Sequence, residues 1–504
     1  MDPLIRSILA ARVYDVAINT QLDHLYLLSR QFQTQIWLKR EDLQPIFSFK
    51  IRGAYNRIFK LTPEERNRGV ICASAGNHAQ GVALSGRHLG IDTTIVMPAT
   101  APMLKVNACK EMGATVILYG ETFDEASNYA LELANREQKS FIHPFDDLDV
   151  IAGQGTIGKE MLEQQPDLDA IFIPVGGGGL IAGVAKYVKA IRPECKIIGV
   201  EPEESASMLE SLKKKERITL DQVGTFADGT AVKKVGELTF DLARQYVDDI
   251  VTVSTDEICA AMKDIFNNTR AASEPSGALS VAGIKKYLQQ HHDHGFKHVG
   301  GILSGANVNF ERIRYAAERA ELGEKTEALL AVSIPEIPGS FKNFIDMIGK
   351  RSITEFNYRF ADPSTAVVFA GIQLTGADVE KESIIAKLQE QGFAVVDLSD
   401  NEMAKVHIRH MVGGKANHIT DERLLRFVFP ERPGALMQFL ATMESKWNIS
   451  LFHYRNHGSD YGRVLVGMQV PNDEKNNREF EDFLDRLGYE YADESDNPAF
   501  HLFL

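Results

Sequence analysis

Short apolar runs alternate with helical segments over the first 320 residues. The runs are continuous rather than alternating, which is typical of parallel strands covered on both faces. Segments such as 77–89 and 256–269 lie between them and predict helices. The pattern predicts a doubly wound α/β domain over residues 1–320, with ligands at the carboxyl ends of its strands. The predicted strands are 69–74, 93–98, 115–120, 170–176, 196–202, 249–254 and 298–305.

The pattern changes near residue 320. Residues 321–327 are highly charged, have no hydrophobic period and predict a linker. An internal repeat follows, in which ALLAVSIPEIPGSF and RLLRFVFPERPGAL align at an offset of 95 residues, as from Pro335 to Pro430. Each copy predicts strand, Pro-Gly turn, helix, strand, strand, helix and strand, a ferredoxin-like α+β module. We expect the modules at 328–415 and 423–504, where they either bind effectors at a shared interface or only join subunits.

Composition and charge exclude several classes of protein. The 504 residues suggest about three domains. The formal net charge is -14 and no basic stripe is present, so we expect no nucleic-acid partner. The four cysteines are scattered and predict neither disulfides nor a zinc site. The N-terminus has no secretory signal pattern, and the longest apolar run is glycine-rich and too short to span a membrane, so we expect a cytoplasmic protein.

One lysine stands in apolar surroundings in the stretch IFSFKIRGAYN. Lys50 either points into solvent at a helix start or is desolvated. Desolvation favours the neutral amine, which is a nucleophile that forms Schiff bases with carbonyl groups.

A run of glycines between a predicted strand and helix, PVGGGGLIAG, predicts a phosphate site. Glycines let backbone N–H groups turn toward a phosphate, and the helix start adds positive potential. Gly177, Gly179 and Ala182, followed by Glu201, also fit a dinucleotide fingerprint. We disfavour that interpretation because the fingerprint belongs in the first βαβ unit of a chain and leaves Lys50 unexplained.

Two further motifs follow predicted strands. In SAGNHAQG, small residues leave N–H groups open at a helix start, which suits a carboxylate, and Asn77 caps that helix, binds a ligand oxygen or does both. In ILSGANVNF, Ser304 either binds a ring nitrogen or caps the next helix. Together, a lysine, a phosphate site, a carboxylate cradle and a ring-nitrogen partner are what pyridoxal phosphate needs.

These motifs resemble those of a known family. SFKIRGAYN, SAGNHAQGVA, PVGGGGLIAG, AASEPSGALS and ILSGANVNF are similar to the corresponding motifs of fold-type II pyridoxal-phosphate enzymes, the threonine dehydratases in particular. The doubled C-terminal module resembles the regulatory part of the biosynthetic threonine dehydratases. The resemblance implies a catalytic domain like the tryptophan synthase β subunit, followed by two ACT-like regulatory subdomains.

The resemblance also implies roles for individual residues. Lys50 would form the Schiff base with pyridoxal 5'-phosphate, with Phe49 beside the ring, Asn77 near the 3′-oxygen and Ser304 at the pyridine nitrogen. The phosphate would be bound by Gly176, Gly177, Gly178, Gly179 and Leu180. The substrate carboxylate would be bound by Ser74, Gly76, Asn77 and His78. Effectors would bind at the Pro-Gly turns, through Gly339, Ser340, Phe341, Gly434, Ala435 and Leu436.

The implied reaction is the dehydrative deamination of L-threonine to 2-oxobutanoate and ammonia, on the route to isoleucine. The implied regulation is inhibition by isoleucine, countered by valine, in a homotetramer. The alternatives are a serine-preferring dehydratase, a β-replacement enzyme and an amino-acid sensor without turnover. His291, His292 and His294 are interpreted as a solvated helix end, and no metal site is expected. Asp228 resembles part of a cation site in some relatives, but one acidic residue does not make a site.

Overall fold

The computed structural model describes most of the chain. The residues it does not describe are 1, 100, 102, 292, 294, 361, 362, 376, 402, 403, 406, 407, 411–415, 417, 418, 431–433, 445, 456–460, 498, 499 and 501–504. His292, His294 and Pro433 therefore lie outside the described residues, as does the side chain of Arg455. The chain forms two compact units, residues 1–320 and residues 321–504.

The strands of the first unit form two sheets. The larger sheet contains β1 (Leu22–His24), β2 (Gln35–Arg40), β7 (Ala170–Pro174), β8 (Lys196–Pro202), β9 (Asp249–Val253) and β10 (His298–Leu303). Its order is β1-β2-β10-β7-β8-β9, and every neighbouring pair is parallel except β1 with β2. The smaller sheet is parallel, in the order β5-β4-β3-β6, with β3 (Val70–Ala73), β4 (Thr93–Met97), β5 (Thr115–Leu118) and β6 (Ser140–Phe141).

Helices separate most of these strands along the chain, which is the alternation expected of an α/β fold. They are α1 (Pro3–Leu9), α2 (Tyr26–Phe32), α3 (Lys50–Phe59), α4 (Pro63–Arg68), α5 (Asn77–Leu89), α6 (Met103–Glu111), α7 (Phe123–Glu137), α8 (Leu148–Gln164), α9 (Gly179–Ile191), α10 (Ser207–Lys214), α11 (Glu237–Tyr246), α12 (Thr255–Thr269), α13 (Pro275–Gln290) and α14 (Phe310–Gly323).

The parallel strands are buried on both faces because neighbouring residues enter different core layers. In β7, Ala170 and Phe172 belong to one apolar cluster, whereas Ile171 and Ile173 belong to another. This is the period of two that a strand imposes on its side chains. It explains why the strand is apolar throughout, and the α/β prediction for this unit is confirmed.

The described residues of the second unit form one antiparallel sheet of eight strands with four α-helices. The first copy of the repeat forms β11 (Glu327–Pro335), α15 (Ser340–Ile348), β12 (Ile353–Arg359), β13 (Thr365–Gln373), α16 (Ala377–Glu390) and β14 (Ala394–Asp397). The second forms β15 (Glu422–Pro430), α17 (Ala435–Met443), β16 (Asn448–Arg455), β17 (Tyr461–Gln469), α18 (Glu474–Leu487) and β18 (Tyr491–Asp493). The ferredoxin-like prediction is thus confirmed for both copies.

The two copies join edge to edge. The sheet order is β14-β11-β13-β12-β16-β17-β15-β18, so β12 of the first copy pairs with β16 of the second. The repeat is exact enough to include the same irregularity: a register shift lies between Ile353 and Glu355 in β12 and between Ile449 and Leu451 in β16. The larger apolar cluster of this unit draws on both copies, and a small second cluster, around Leu329, Phe369 and Ala404, belongs to the first copy alone.

The linker expected at 321–327 is shorter in the structure. Helix α14 continues to Gly323 and β11 starts at Glu327, which leaves three residues, 324–326, between them. Ala316 and Ala320 on α14 are buried in a core cluster of the first unit, and this packing sustains the helix where the sequence shows no apolar period. Within the part of the chain that the structure describes, none of the helices has the length and apolar character of a membrane span.

Candidate active site

The residues before Lys50 are fixed to the end of strand β10. Ser48 forms an isolated bridge with Gly305, and its hydroxyl donates to the Ser304 carbonyl at 3.2 Å. The Phe49 N–H donates to the same carbonyl, also at 3.2 Å. Lys50 then begins α3. The lysine therefore starts at the carboxyl edge of the larger sheet, where α/β folds bind ligands.

The Lys50 amine lies in a partly apolar environment rather than on a solvated helix end. Its Nζ donates to the Pro144 carbonyl at 2.9 Å and lies 5.3 Å from the centre of the Phe49 ring. Burial lowers the pKa of Lys50 to about 8, against the opposing charge of Glu274. A lysine pKa in this range gives an appreciable neutral fraction near neutral pH, as a nucleophile or general base requires.

The glycine loop after β7 has room only for glycine. A Cβ on Gly177 would lie 2.2 Å from the Phe145 ring, and a Cβ on Gly176 would lie 2.9 Å from the Thr230 Cα. Gly178 has a φ of 94° and caps α9, where it offers no side chain to the helix N–H groups. N–H groups at a helix start, together with the helix dipole, are suited to binding an anion, so this loop is a candidate anion site. Leu180 is buried in the core, so only its backbone can contribute.

The motif SAGNHAQG forms a second open helix start. Gly76 caps α5, and the Ser74 hydroxyl accepts from the Gly76 N–H at 3.2 Å. Asn77 is the first residue of the helix and its side chain makes no capping bond, so the capping alternative for Asn77 is wrong. The buried His78 ring contacts the Ile142 carbonyl at 2.9 Å, and burial lowers its pKa to about 3. The His78 ring is therefore neutral near pH 7. Separately, the His78 backbone N–H lies at the start of the helix, where it can bind a carboxylate.

Ser304 follows β10 directly and is buried. The next helix, α14, starts at Phe310, so Ser304 does not cap it. Its hydroxyl donates weakly, at 3.3 Å, to the Ser276 carbonyl. A neutral hydroxyl at a strand end remains a suitable partner for a ring nitrogen.

Residues 144 and 145 connect the lysine with the glycine loop. The Pro144 carbonyl accepts from Lys50, and the next residue, Phe145, packs against Gly177 and Gly179. A low-pKa amine and an anion site are therefore neighbours, although their sequence positions are far apart. This arrangement fits pyridoxal phosphate, which needs an amine for its aldehyde and N–H groups for its phosphate.

Sequence reasoning missed several residues of this site. Pro144 and Phe145 belong to no motif singled out above, and neither does His143. The His143 Nδ1 accepts from the Asp146 N–H at 2.8 Å, and burial together with nearby Lys50 lowers the pKa of this histidine. Glu274 was within reach of sequence reasoning, because it lies in AASEPSGALS, one of the motifs that carry the resemblance.

Two alternative sites find no support. The Glu201 carboxylate accepts from the N–H groups of Met208 and Leu209 at 2.9 and 2.8 Å, so it caps α10 instead of facing the glycine loop as a ribose ligand would. Asp228 pairs with Lys105 at 3.0 Å and with Arg312 at 3.3 Å. Among the described residues, no group of three His, Cys, Asp or Glu side chains could hold a metal ion.

Two pockets lined by described residues of the second unit are related by the repeat. In each, a glycine with left-handed φ caps a nine-residue helix without a side chain: Gly339 at α15 and Gly434 at α17. Gly434, Ala435 and Leu436 line the first pocket, whereas Gly339 and Phe341 line the second and Ser340 does not. The C-terminal half of the other copy's helix also lines each pocket: Ile345 of α15 lines the first, and Leu440 and Met443 of α17 line the second.

The two pockets differ in the lining residue that lies between a capped helix and the next strand of the same copy. Arg351 lines the first pocket, and Trp447, at the matching place in the repeat, lines the second. A Tyr-Arg pair recurs in both copies of the repeat, at 358–359 and 454–455, and Tyr454 of the second pair lines the first pocket. Tyr358 instead bonds to Glu336, and Arg359 pairs with Glu422.

Comparisons with known proteins agree with this geometry. Residues 13–305 match a family described as pyridoxal-phosphate dependent enzymes, and residues 318–408 and 413–504 match the C-terminal regulatory domain of threonine dehydratase. The biosynthetic L-threonine dehydratase IlvA of Burkholderia multivorans is 53% identical over 506 residues, covering 99% of each chain. Its Escherichia coli counterpart is 51% identical over 500 residues, covering 99% of this chain and 96% of the relative.

Solved structures resemble the first unit. The processed form of threonine deaminase isoform 2 from Solanum lycopersicum is 48% identical, with a TM-score of 0.62, and the match covers 63% of this chain and 92% of that one. Maize serine racemase is 34% identical, with a TM-score of 0.59, and the match covers 62% of this chain and 96% of that one.

The fold and the site define a pyridoxal-phosphate-dependent enzyme of fold-type II, with a regulatory unit at its C-terminal end. The identity to its relatives extends through both units and includes the regulatory one. The chain belongs to the family of biosynthetic threonine dehydratases.

Proposed function

We propose that this protein catalyses the dehydrative deamination of L-threonine to 2-oxobutanoate and ammonia. The observation that carries the proposal is the Lys50 amine, which has a lowered pKa and is connected through Pro144 and Phe145 to the glycine loop. The names of the full-length relatives support threonine as the substrate.

Each group of the site has a task in this reaction. Bound pyridoxal phosphate supplies the electron sink for the carbanion at the substrate Cα. Lys50 would hold the cofactor and, once displaced by substrate, act as the general base that removes the Cα proton. The open N-terminus of α5 would bind the substrate carboxylate, and the glycine loop with α9 would bind the phosphate. Ser304 would leave the ring nitrogen unprotonated, which favours loss of the β-hydroxyl over transamination.

An assay of 2-oxo acid formation from L-threonine tests the proposal. Lys50→Ala should abolish both turnover and the absorbance of the bound cofactor. Lys60→Ala is the matched control, because Lys60 ends the same helix but pairs with Asp149 at 2.6 Å outside the site. Equal turnover in the Lys50 variant would refute the assignment. Comparison of kcat/KM for threonine and serine, and an assay for β-replacement, would separate the neighbouring activities, while amino-acid binding without turnover would indicate a sensor.

We propose that the second unit binds isoleucine as an inhibitor and valine as its antagonist. The free N–H groups after Gly339 and Gly434 suit an amino-acid carboxylate. The first pocket favours isoleucine, because Ile345, Ile353 and Leu436 offer an apolar wall, and Arg351, which also pairs with Glu380 at 2.8 Å, offers a cation for the carboxylate. Isoleucine would then shift a two-state equilibrium by about 1–3 kcal/mol.

Point variants distinguish the two pockets. Leu436→Glu should weaken inhibition by isoleucine while leaving threonine turnover intact, because it places a carboxylate beside the effector's own. Lys342→Glu introduces a carboxylate into the second pocket, one position after Phe341, which is the residue that matches Leu436 in the repeat. If Leu436→Glu remains fully sensitive and Lys342→Glu does not, the pockets are assigned the wrong way round. Protein that lacks residues 328–504 should be active and insensitive, and inhibition of that form would refute the regulatory proposal.

A homotetramer in the cytoplasm completes the proposal. Light scattering on the purified protein, with and without isoleucine, would give its mass in solution. A monomer of 56.0 kDa at assay concentration would contradict the tetramer.

A further inference from the structure

The carboxyl group of Glu274 is buried next to the candidate active site. Glu274 lies directly before α13, yet its side chain makes no capping bond to that helix. It instead accepts a hydrogen bond from the Asn77 Nδ2 at 2.8 Å. The residue is only 4% exposed. A carboxylate in such a place is costly unless it serves a partner, because burial disfavours the charged form.

A chain of hydrogen bonds fixes which way the Asn77 amide points. The backbone carbonyl of Ile46 can only accept, and it accepts from the Asn307 Nδ2 at 2.8 Å. The same Nδ2 donates to the Asn77 Oδ1 at 2.7 Å. The Asn77 oxygen must therefore face Asn307, and its Nδ2 must face Glu274. Both ends of the amide are held, and one Nδ2 proton is left for a ligand.

The space around this contact admits no additional side-chain atoms at position 305. A Cβ on Gly305 would lie 2.4 Å from the Glu274 Oε1 and 3.2 Å from the Asn77 Nδ2. The Glu274 N–H also donates to the Gly305 carbonyl at 3.2 Å. The motifs AASEPSGALS and ILSGANVNF thus meet here, and the position of the carboxyl is set by backbone as well as by side chains.

Several charged and polar groups act on the carboxyl. The pKa of Glu274 is raised to about 7, because burial and the charge of Asp228 raise it more than Asn77, Lys105 and the Asn307 N–H lower it. Lys50 also faces Glu274, because the carboxylate opposes the lowering of the lysine pKa. Glu274 is therefore part of the electrostatic environment of the site although it belongs to none of the roles described above.

We propose that Glu274 is a positioning residue that, together with Asn307, clamps the Asn77 amide so that its remaining Nδ2 proton is directed at the 3′-oxygen of the cofactor. The proposal rests on the function proposed above only in requiring that the protein binds pyridoxal phosphate through this site. The proposal predicts that cofactor binding depends more on the position of the acceptor oxygen of residue 274 than on the negative charge of the carboxylate.

Three variants of the full-length protein test the clamp. Glu274→Ala removes the acceptor, and Asn307→Leu removes the donor to Asn77 and to Ile46. Each should weaken pyridoxal phosphate binding about 10- to 100-fold, the range for losing a hydrogen bond to a charged or buried partner. Glu274→Gln keeps an oxygen, and because Ile46 fixes the polarity of the chain, that oxygen should turn to the Asn77 Nδ2. We expect its affinity for the cofactor to lie within about threefold of the unmodified protein.

The readouts do not depend on turnover. Equilibrium dialysis gives cofactor affinity, and the absorbance and visible circular dichroism of the bound cofactor report its orientation. Glu274→Gln should keep the spectrum of the unmodified protein, whereas Glu274→Ala and Asn307→Leu should both change it. Glu203→Ala is the control, because Glu203 pairs with Lys286 at 3.2 Å on the surface of the same unit. Thermal unfolding without cofactor identifies a variant that fails to fold, and Glu274→Gln then remains as the discriminating variant.

Two results would overturn the proposal. A Glu274→Gln variant as impaired in affinity and spectrum as Glu274→Ala would mean that charge, not hydrogen-bond geometry, is what the site needs. Spectra and affinities unchanged in all three variants would mean that Asn77 is held without the clamp. If the unmodified protein binds the cofactor but does not deaminate threonine, the proposed function fails while the clamp can still be judged from these readouts.

Discussion

Glu160→Gln should destabilise the first unit by about 3–5 kcal/mol, the usual cost of removing one charge from a buried ion pair. The Glu160 carboxylate lies 2.5 Å from Arg52 and 2.7 Å from Lys39, and all three side chains are fully buried. Arg52 also pairs with the buried Glu41 at 2.7 Å. Two positive and two negative charges thus form a neutral cluster, and the substitution leaves it with one uncompensated positive charge.

The magnitude follows from the geometry. Two unit charges 2.7 Å apart attract by about 6 kcal/mol at an effective dielectric constant of about 20. Desolvation of the two groups offsets most of this attraction in the intact cluster, but removal of one partner leaves the desolvation cost of the other in place. With an unfolding entropy of about 2 cal/mol/K per residue over 320 residues, the loss corresponds to a fall in Tm of about 5–8 °C.

Differential scanning calorimetry of the full chain measures the shift. Glu163→Gln is the matched control, because Glu163 is on the same helix but pairs with Lys159 at the surface, and its Tm should change by less than about 1 °C. Adding Lys39→Met to Glu160→Gln restores neutrality and should recover part of the loss. A Glu160→Gln protein that melts within about 1 °C of the unmodified one would refute the reasoning.

The same cluster gives a pH dependence of defined sign. The Arg52 guanidinium and the Lys39 amine hold the pKa of Glu160 below its ordinary value of 4.5, despite burial. A group whose pKa is lower in the folded state contributes stability above its unfolded pKa, and that stability is lost as the pH falls through the folded pKa. The gap in Tm between the unmodified protein and Glu160→Gln should therefore be full at neutral pH and shrink below about pH 4.5.

Two further predictions concern cofactor binding. Burial lowers the pKa of Lys50 to about 8, so the rate at which cofactor-free protein takes up pyridoxal phosphate should depend on pH. The rate, monitored by absorbance, should rise roughly tenfold from about pH 6 to about pH 7 and level off above about pH 8. A constant rate over this range would contradict a titrating amine. Gly177→Ala should weaken cofactor affinity at least about tenfold, since its Cβ would overlap the Phe145 ring. In the control, Gly76→Ala, the added Cβ meets no atom within 4 Å, so this variant should bind the cofactor normally. Equal affinity of the two variants in equilibrium dialysis would mean that the glycine loop does not hold the phosphate.

The fold could be predicted largely from local pattern, because buried parallel strands and an internal repeat both leave their mark on the sequence. All seven predicted strands of the first unit are present. Strand β2, with the sequence QIWLKR, was not predicted, because its charged end joins buried networks: Lys39 pairs with Glu160, and Arg40 pairs with Asp42 at 2.8 Å. The division of the strands into two sheets could not be predicted either, since pairing between strands leaves no trace in a local hydrophobic period.

Candidate residues could be selected from sequence where a single motif contains them, as for Lys50 and the glycine loop, and their roles stay predictions. The site was not predictable where a function arises from contacts between motifs. Pro144 and Phe145 follow the two-residue strand β6 and have no distinctive pattern, yet they connect the amine with the anion site. For Asn77, local sequence favoured a helix cap, whereas its actual partners lie 197 and 230 residues away along the chain.

The backbone just before Lys50 shows why such contacts matter. Phe47 has a φ of 55°, a left-handed conformation that costs a non-glycine residue roughly 1–3 kcal/mol, and its side chain is 57% exposed, so burial of the ring offsets little of that cost. The conformation is held by hydrogen bonds: the Phe47 N–H donates to the Gln44 carbonyl at 2.7 Å, and the Phe47 carbonyl accepts from the Ala306 N–H at 2.9 Å. Ala306 lies between Ser304 and Asn307, in the loop that also fixes Asn77. The placement of the lysine and the orientation of Asn77 therefore depend on the same short loop after β10, and a change in that loop should disturb both groups together.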